Sequence, residues 1–171
     1  MIHCILQNEY GAKSCVAGDM SKLPFKNNSF DYVVCIDVLH HESDNITNIL
    51  ESFRDLLKPG GLLFLEDLNA WAMFQMGKSI LLPKPVYKTL RAVYHKLKHS
   101  ASRPADYEFP TSVWRVKAIL EKLHFHNIKI HPNDAYPCIG EARYRVYELF
   151  KKYEFIRKYN NYHYMLSAIR E

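Results

Sequence analysis

Three consecutive stretches limit what this chain can fold into. Phe30 to Ile36 (FDYVVCI) is an apolar, β-branched run of strand length. Ile46, Ile49, Leu50, Phe53, Leu56 and Leu57 then recur at helical spacing, the stripe of a helix that starts at Asp44 or Asn45 and buries one face. Lys58-Pro59-Gly60-Gly61 stops that helix with a cation, an imino acid that cannot continue it and two residues free to turn. Leu62 to Glu66 (LLFLE) is the next strand. Strand, helix and strand on short connections form a βαβ unit, so the expected class is α/β with a parallel sheet. Continuous apolar runs of this kind suit strands covered on both faces.

The flanking sequence supplies further elements. Residues 2–9 read as the end of a helix stopped near Gly11, and Ser14–Ala17 as a short strand ending at Gly18-Asp19. Trp71–Leu82 reads as a helix. Val86, Leu90, Val93, Tyr94 and Leu97 make an apolar stripe on another, whose opposite face holds Lys88, Arg91, His95, Lys96, Lys98 and His99. Thr111 or Ser112 caps a helix through Leu123, with Val113, Val116, Leu120 and Leu123 inward. Phe125–Ile130 reads as a strand, Glu141–Arg157 as a Tyr-rich helix and Tyr162–Ile169 as a last strand. No internal repeat is present.

Composition narrows the class without naming a function. The 171 residues, 48% hydrophobic and 24% charged, suit one globular domain and not a disordered chain. No apolar run approaches the ~20 residues of a membrane-spanning helix. Four scattered cysteines without a CxxC pair suit a reduced, cytoplasmic setting. The net charge of +5 is uneven: residues 1–67 carry 5 basic and 10 acidic side chains, whereas residues 68–105 carry 7 basic and no acidic ones. An acid-free stretch of that length points to a face that meets something anionic.

Two motif-bearing stretches carry the functional information. One is Gly18-Asp19-Met20-Ser21-Lys22-Leu23-Pro24-Phe25 followed by Asn28-Ser29-Phe30-Asp31. The other is Val33-Val34-Cys35-Ile36-Asp37-Val38-Leu39-His40-His41, the helix, and Leu56-Leu57-Lys58-Pro59-Gly60-Gly61-Leu62-Leu63. In this order and spacing, over about 50 residues, they resemble the central part of class I S-adenosylmethionine-dependent methyltransferases. The resemblance implies a Rossmann-like sheet of order 3-2-1-4-5-7-6, mostly parallel with an antiparallel last strand, and S-adenosylmethionine as cofactor across the strand ends. It implies that Asp19 accepts a hydrogen bond from the adenine amino group and that Met20 meets the ring edge and face. Cys35, Ile36 and Asp37 would run under the methionine half. His40 and His41 would sit near the reacting methyl and could take a proton from a hydroxyl or amine acceptor. The partner implied is a small-molecule methyl acceptor.

The sequence departs from the family in one respect. None of the six glycines forms the glycine-rich loop that follows the family's first strand, and the acid that would hold the ribose is missing. Counted back from Gly18-Asp19, two strand–helix units are wanting, about 60 residues at ~30 per unit. The expectation is a partial methyltransferase domain over 1–171, incomplete by two strands, with a basic helical insertion or lid at 68–110 and a helical insertion at 138–160. Such a chain alone would bind the cofactor weakly or not at all, and Phe30–Ile36 would expose an apolar edge. The alternatives are a catalytically inactive module that pairs with another chain, and a peripheral membrane protein that rests on anionic lipid through 78–103. No nucleic-acid recognition motif is present. No cluster of His with Cys or acid reads as a metal site, and Cys35 reads as a buried small hydrophobe.

Overall fold

The computed structural model describes residues 18–20, 22–72, 85–86, 89–90, 93, 110–133, 145 and 148–171. The elements expected at 2–9 and Ser14–Ala17, and most of those at 71–82, 86–97 and 138–147, lie outside the described residues. So does most of the expected insertion at 68–110.

Among the described residues four strands form one open sheet: β1 (Phe30–Ile36), β2 (Leu57–Leu68), β3 (Phe125–His131) and β4 (His163–Arg170), in the order β1-β2-β4-β3. β1 and β2 are parallel, with Val33 opposite Leu63 and Cys35 opposite Leu65. β4 runs antiparallel to both of its neighbours. The strands are therefore ordered as the second half of the expected sheet, and the last strand is antiparallel as expected. Among the described residues, antiparallel pairs outnumber the parallel one.

Among the described residues two helices cover one face. α1 (Ile46–Leu56) buries Ile46, Ile49, Leu50, Phe53 and Leu56, five of the six residues of the stripe read from the sequence; the sixth, Leu57, is buried as the first residue of β2. α2 (Val113–Lys122) buries Val113, Val116 and Leu120. They pack on Cys35, Leu63, Leu65, Leu166 and Ala168, which project from the same side of β1, β2 and β4. Successive side chains alternate across a strand, so this single parity forms the core.

The opposite parity is a correction to the reading of β1 as buried on both faces. Tyr32, Val34 and Ile36 are each more than half exposed, and Leu62 and Phe64 beside them are only half-buried. Among the described residues no strand pairs with the outer edge of β1.

The LKPGG turn also differs in detail. α1 ends at Leu56, and Leu57 already pairs with Phe30 as the first residue of β2. The next pair is Tyr32 with Leu62, so the Lys58–Gly61 segment bulges out of the ladder. Gly60 sits at φ +78, which L side chains rarely adopt. A Cβ on Gly61 would lie 2.8 Å from the Lys58 carbonyl oxygen and 3.2 Å from that of Asp31. Lys58 closes the bulge by pairing with Asp31 at 2.9 Å.

Candidate active site

The site lies at the C-terminal ends of the two parallel strands, where open α/β sheets bind ligands. β1 ends at Ile36. Asp37 follows with φ 57, and its N–H still donates to the Glu66 carbonyl of β2 at 2.8 Å. A left-handed non-glycine residue bends the chain sharply away from the sheet. Leu39–Glu42 then form one 3-10 turn that leads into α1.

This connection faces a second short loop. The Lys22 N–H donates to the Asp19 carbonyl at 3.0 Å, closing a turn with Met20 at its tip. Gly18, Asp19, Met20 and Leu23 on one side, and Val38, Glu42, Asn45 and Ile49 on the other, enclose a cleft of about 440 Å³. The apolar walls are Met20, Leu23, Val38 and Ile49; Asp19, Glu42 and Asn45 supply the polar atoms. A flat heterocycle with an exocyclic amine fits such a lining: apolar contact for its faces, carboxylates to accept from the amine.

One buried polar pair holds the connection in place. His40, 3% exposed, lies with Nδ1 2.5 Å from Oδ1 of Asp67, a fully buried carboxylate near the end of β2. A carboxylate only accepts, so the Nδ1–H donates to it. The same Oδ1 accepts the Leu68 N–H at 2.8 Å, while Asp67 Oδ2 is buried without a hydrogen-bond partner. The pair ties the 3-10 turn that adjoins Val38, Glu42 and Asn45 to β2.

A more open cluster lies beside it. Asp37 Oδ1 is 3.7 Å from His40 Nδ1 and 3.4 Å from Nε2 of His163, the first residue of β4. His163 Nδ1 is 3.5 Å from Oε1 of Glu66. Asp37, His40 and Asp67 present oxygen and nitrogen atoms close enough to bridge a cation. However, ligand bonds of ~2.0–2.2 Å keep two ligand atoms of one ion about 3 Å apart. The 2.5 Å contact of His40 with Asp67 is instead that of a direct hydrogen bond.

The residues singled out in the sequence thus fall into separate places. Asp19 and Met20 line the cleft. Ile36 and Asp37 are exposed at the end of β1, at the site's edge. The Cys35 side chain points into the core. Burial, and then the charge of Asp67, push its thiol up to about 12, so it stays a neutral thiol. The His41 ring lies tilted by 42° against that of His40, with ring centroids 4.0 Å apart, and His41 is exposed. Asp67, Glu66 and His163 were not among the expected site residues. Asp67 carried a readable signal: it continues the Leu63, Leu65 parity, and a carboxylate at a core position demands a partner.

Comparison with known proteins bears on the family and the fold. Residues 1–65 match the family model for a methyltransferase domain. A tRNA U34 carboxymethyltransferase of Campylobacter curvus is 31% identical over 99 residues, 54% of this chain and 32% of that protein. A demethylmenaquinone methyltransferase of Staphylococcus haemolyticus is 30% identical over 129 residues, 67% of this chain and 48% of that protein. The crystal structure of an S-adenosylmethionine-dependent methyltransferase from Archaeoglobus fulgidus superposes with a TM-score of 0.60 at 14% identity, covering 98% of this chain and 72% of that one. The fold is the Rossmann-like α/β fold of the methyltransferases. The family match and the fold together support a class I S-adenosylmethionine-dependent methyltransferase, and the chain spans about a quarter to a half of the length of the curated relatives it matches.

Proposed function

We propose that the protein to which this chain belongs transfers a methyl group from S-adenosylmethionine to a small-molecule acceptor. The observation that carries this is the cleft at the ends of the parallel strands, with Asp19 and Met20 facing Val38, Glu42 and Asn45. Asp19 would accept from the adenine amine, and Met20 with Ile49 would hold the ring. The cofactor supplies an activated methyl on a sulfonium, so the protein's task is alignment of the acceptor and exclusion of water. Asp37, exposed at the end of β1, places a carboxylate at the edge of a site for a cationic cofactor. His40 is a positioning residue because its Nδ1–H is committed to Asp67. Of the two adjacent histidines, His41 is the one exposed to receive a proton from a hydroxyl or amine acceptor. This chain alone, without a glycine-rich loop in its sequence, would hold the cofactor weakly.

The test is transfer of a tritiated methyl group from S-adenosylmethionine to a panel of phenols, quinols and amines by the full-length protein. Label in one acceptor class above the no-acceptor blank supports the reading. Absence of label in every class, together with no S-adenosylhomocysteine binding, overturns it.

A second reading has its own observation. The exposed Tyr32, Val34 and Ile36 on an edge strand suit a non-catalytic module that pairs with another chain through β1. Sedimentation of the wild type and of a Val34→Lys variant tests it: a concentration-dependent dimer lost in the variant supports pairing with a second copy.

A further inference from the structure

The aliphatic stripe of the acid-free segment is not buried. Pro85, Val86, Thr89, Leu90 and Val93 are helical, and the Thr89 hydroxyl donates to the Pro85 carbonyl one turn back at 3.0 Å. At 100° per residue, Val86, Leu90 and Val93 fall within an arc of about 60°. A stripe of that kind ordinarily faces a protein core. Here Val86 is 44% exposed, Leu90 54% and Val93 50%. Among the described residues these three aliphatic side chains, left half in water, have no cover.

The charge around this stripe selects what covers it. Residues 68–105 hold Lys78, Lys84, Lys88, Arg91, Lys96, Lys98 and Arg103 and no Asp or Glu. In the sequence Lys84, Lys88 and Arg91 alternate with Val86, Leu90 and Val93. A second copy would bring seven like charges against seven. A nucleic acid would neutralise the charge but leave the aliphatic face wet, since Val and Leu offer no ring for a base to stack on. An anionic bilayer meets both requirements: its acyl boundary takes the aliphatic face and its headgroups take the lysines and arginines.

We propose that the helical segment carrying Val86, Leu90 and Val93 is an interfacial anchor that lies on an anionic lipid surface. Among the described residues no helix is long and apolar enough to cross a bilayer. The inference does not depend on the methyl-transfer reading, because it uses no residue of the cleft. Should both hold, the anchor brings the site to the membrane surface, where a lipophilic acceptor would be drawn from the bilayer.

Co-sedimentation of the intact chain with vesicles tests it. One set contains phosphatidylglycerol and phosphatidylcholine, the other phosphatidylcholine alone, each at low and high salt. The expected result is binding to the anionic set at low salt, weakened by salt and much weaker on the neutral set. Leu90→Glu and Val93→Glu alter exposed positions, and circular dichroism checks that their fold is kept; each is expected to abolish most of the binding. Lys84→Gln and Lys88→Gln are expected to weaken it about 5-fold each, as for one cation near an anionic surface. No binding to anionic vesicles at low salt overturns the proposal. So does binding that Leu90→Glu leaves unchanged. A single-stranded RNA probe bound in preference to anionic vesicles overturns it as well.

Discussion

Removal of the His40 imidazole should unfold more of the molecule's stability than any surface change. In His40→Leu the Asp67 carboxylate stays fully buried with only the Leu68 N–H to satisfy it, since Oδ2 has no hydrogen-bond partner even in the native protein. Breaking a buried pair from one side costs about 3–5 kcal/mol, most of it the penalty of an uncompensated charge. For a chain of this size that is roughly 6–20 °C in melting temperature, at about 2–4 °C per kcal/mol. Asp67→Leu instead removes the acceptor that lies 2.5 Å from Nδ1 and should cost about 1–3 kcal/mol. The double variant His40→Leu/Asp67→Leu has neither group, so its loss should fall well short of the sum, with a coupling energy of about 1.5 kcal/mol or more. Urea unfolding followed by far-ultraviolet circular dichroism reads all four corners of this cycle. An unchanged dependence on denaturant would show that the same structure is being unfolded. A loss below about 1 kcal/mol in His40→Leu, with additive single effects, would refute the claim that this pair pins the β1–α1 connection.

Other expectations concern separate parts of the fold. Cys35 titrates at about 12 in the fold against an ordinary value of 9.0. Between those values the unfolded chain has lost the proton and the folded one keeps it, so stability falls as pH rises above about 9, by up to ~1.4 kcal/mol per pH unit. Cys35→Ala should flatten that alkaline decline, though not abolish it, because burial also pushes the Tyr164 hydroxyl up. Gly61→Ala places a Cβ 2.8 Å from the Lys58 carbonyl oxygen and should destabilise by about 1–3 kcal/mol in the same urea assay. Leu50→Ala, at a fully buried position of α1, should cost about 2–5 kcal/mol.

Much of the framework was legible because it rests on local pattern. β1 runs from Phe30 to Ile36 in sequence and structure alike, and every residue that α1 buries belongs to the stripe read from the sequence, of which only Leu57 falls outside the helix. Strand order followed from the resemblance, not from periodicity. Two features escaped for physical reasons. An apolar run reveals that a strand can be covered on both faces, but not that a cover is there, and Tyr32, Val34 and Ile36 have none among the described residues. The His40–Asp67 pair joins residues 27 apart, and only strand parity hinted that Asp67 points inward. At the site, the GD and LHH motifs located the two loops, whereas His163 meets Asp37 and Glu66 only through the pairing of β2 with β4.

The central claim is that the cleft between Gly18–Leu23 and Val38–Ile49 is a nucleoside site. Amide chemical shifts of the isotope-labelled chain, followed as S-adenosylhomocysteine is added, test it most directly. The account predicts shifts concentrated at Gly18, Asp19, Met20, Val38, Glu42 and Asn45, half-saturation weaker than micromolar, and loss of these shifts in Asp19→Ala. An unchanged spectrum at those amides, or the same shifts at the same concentrations in Asp19→Ala, would contradict it.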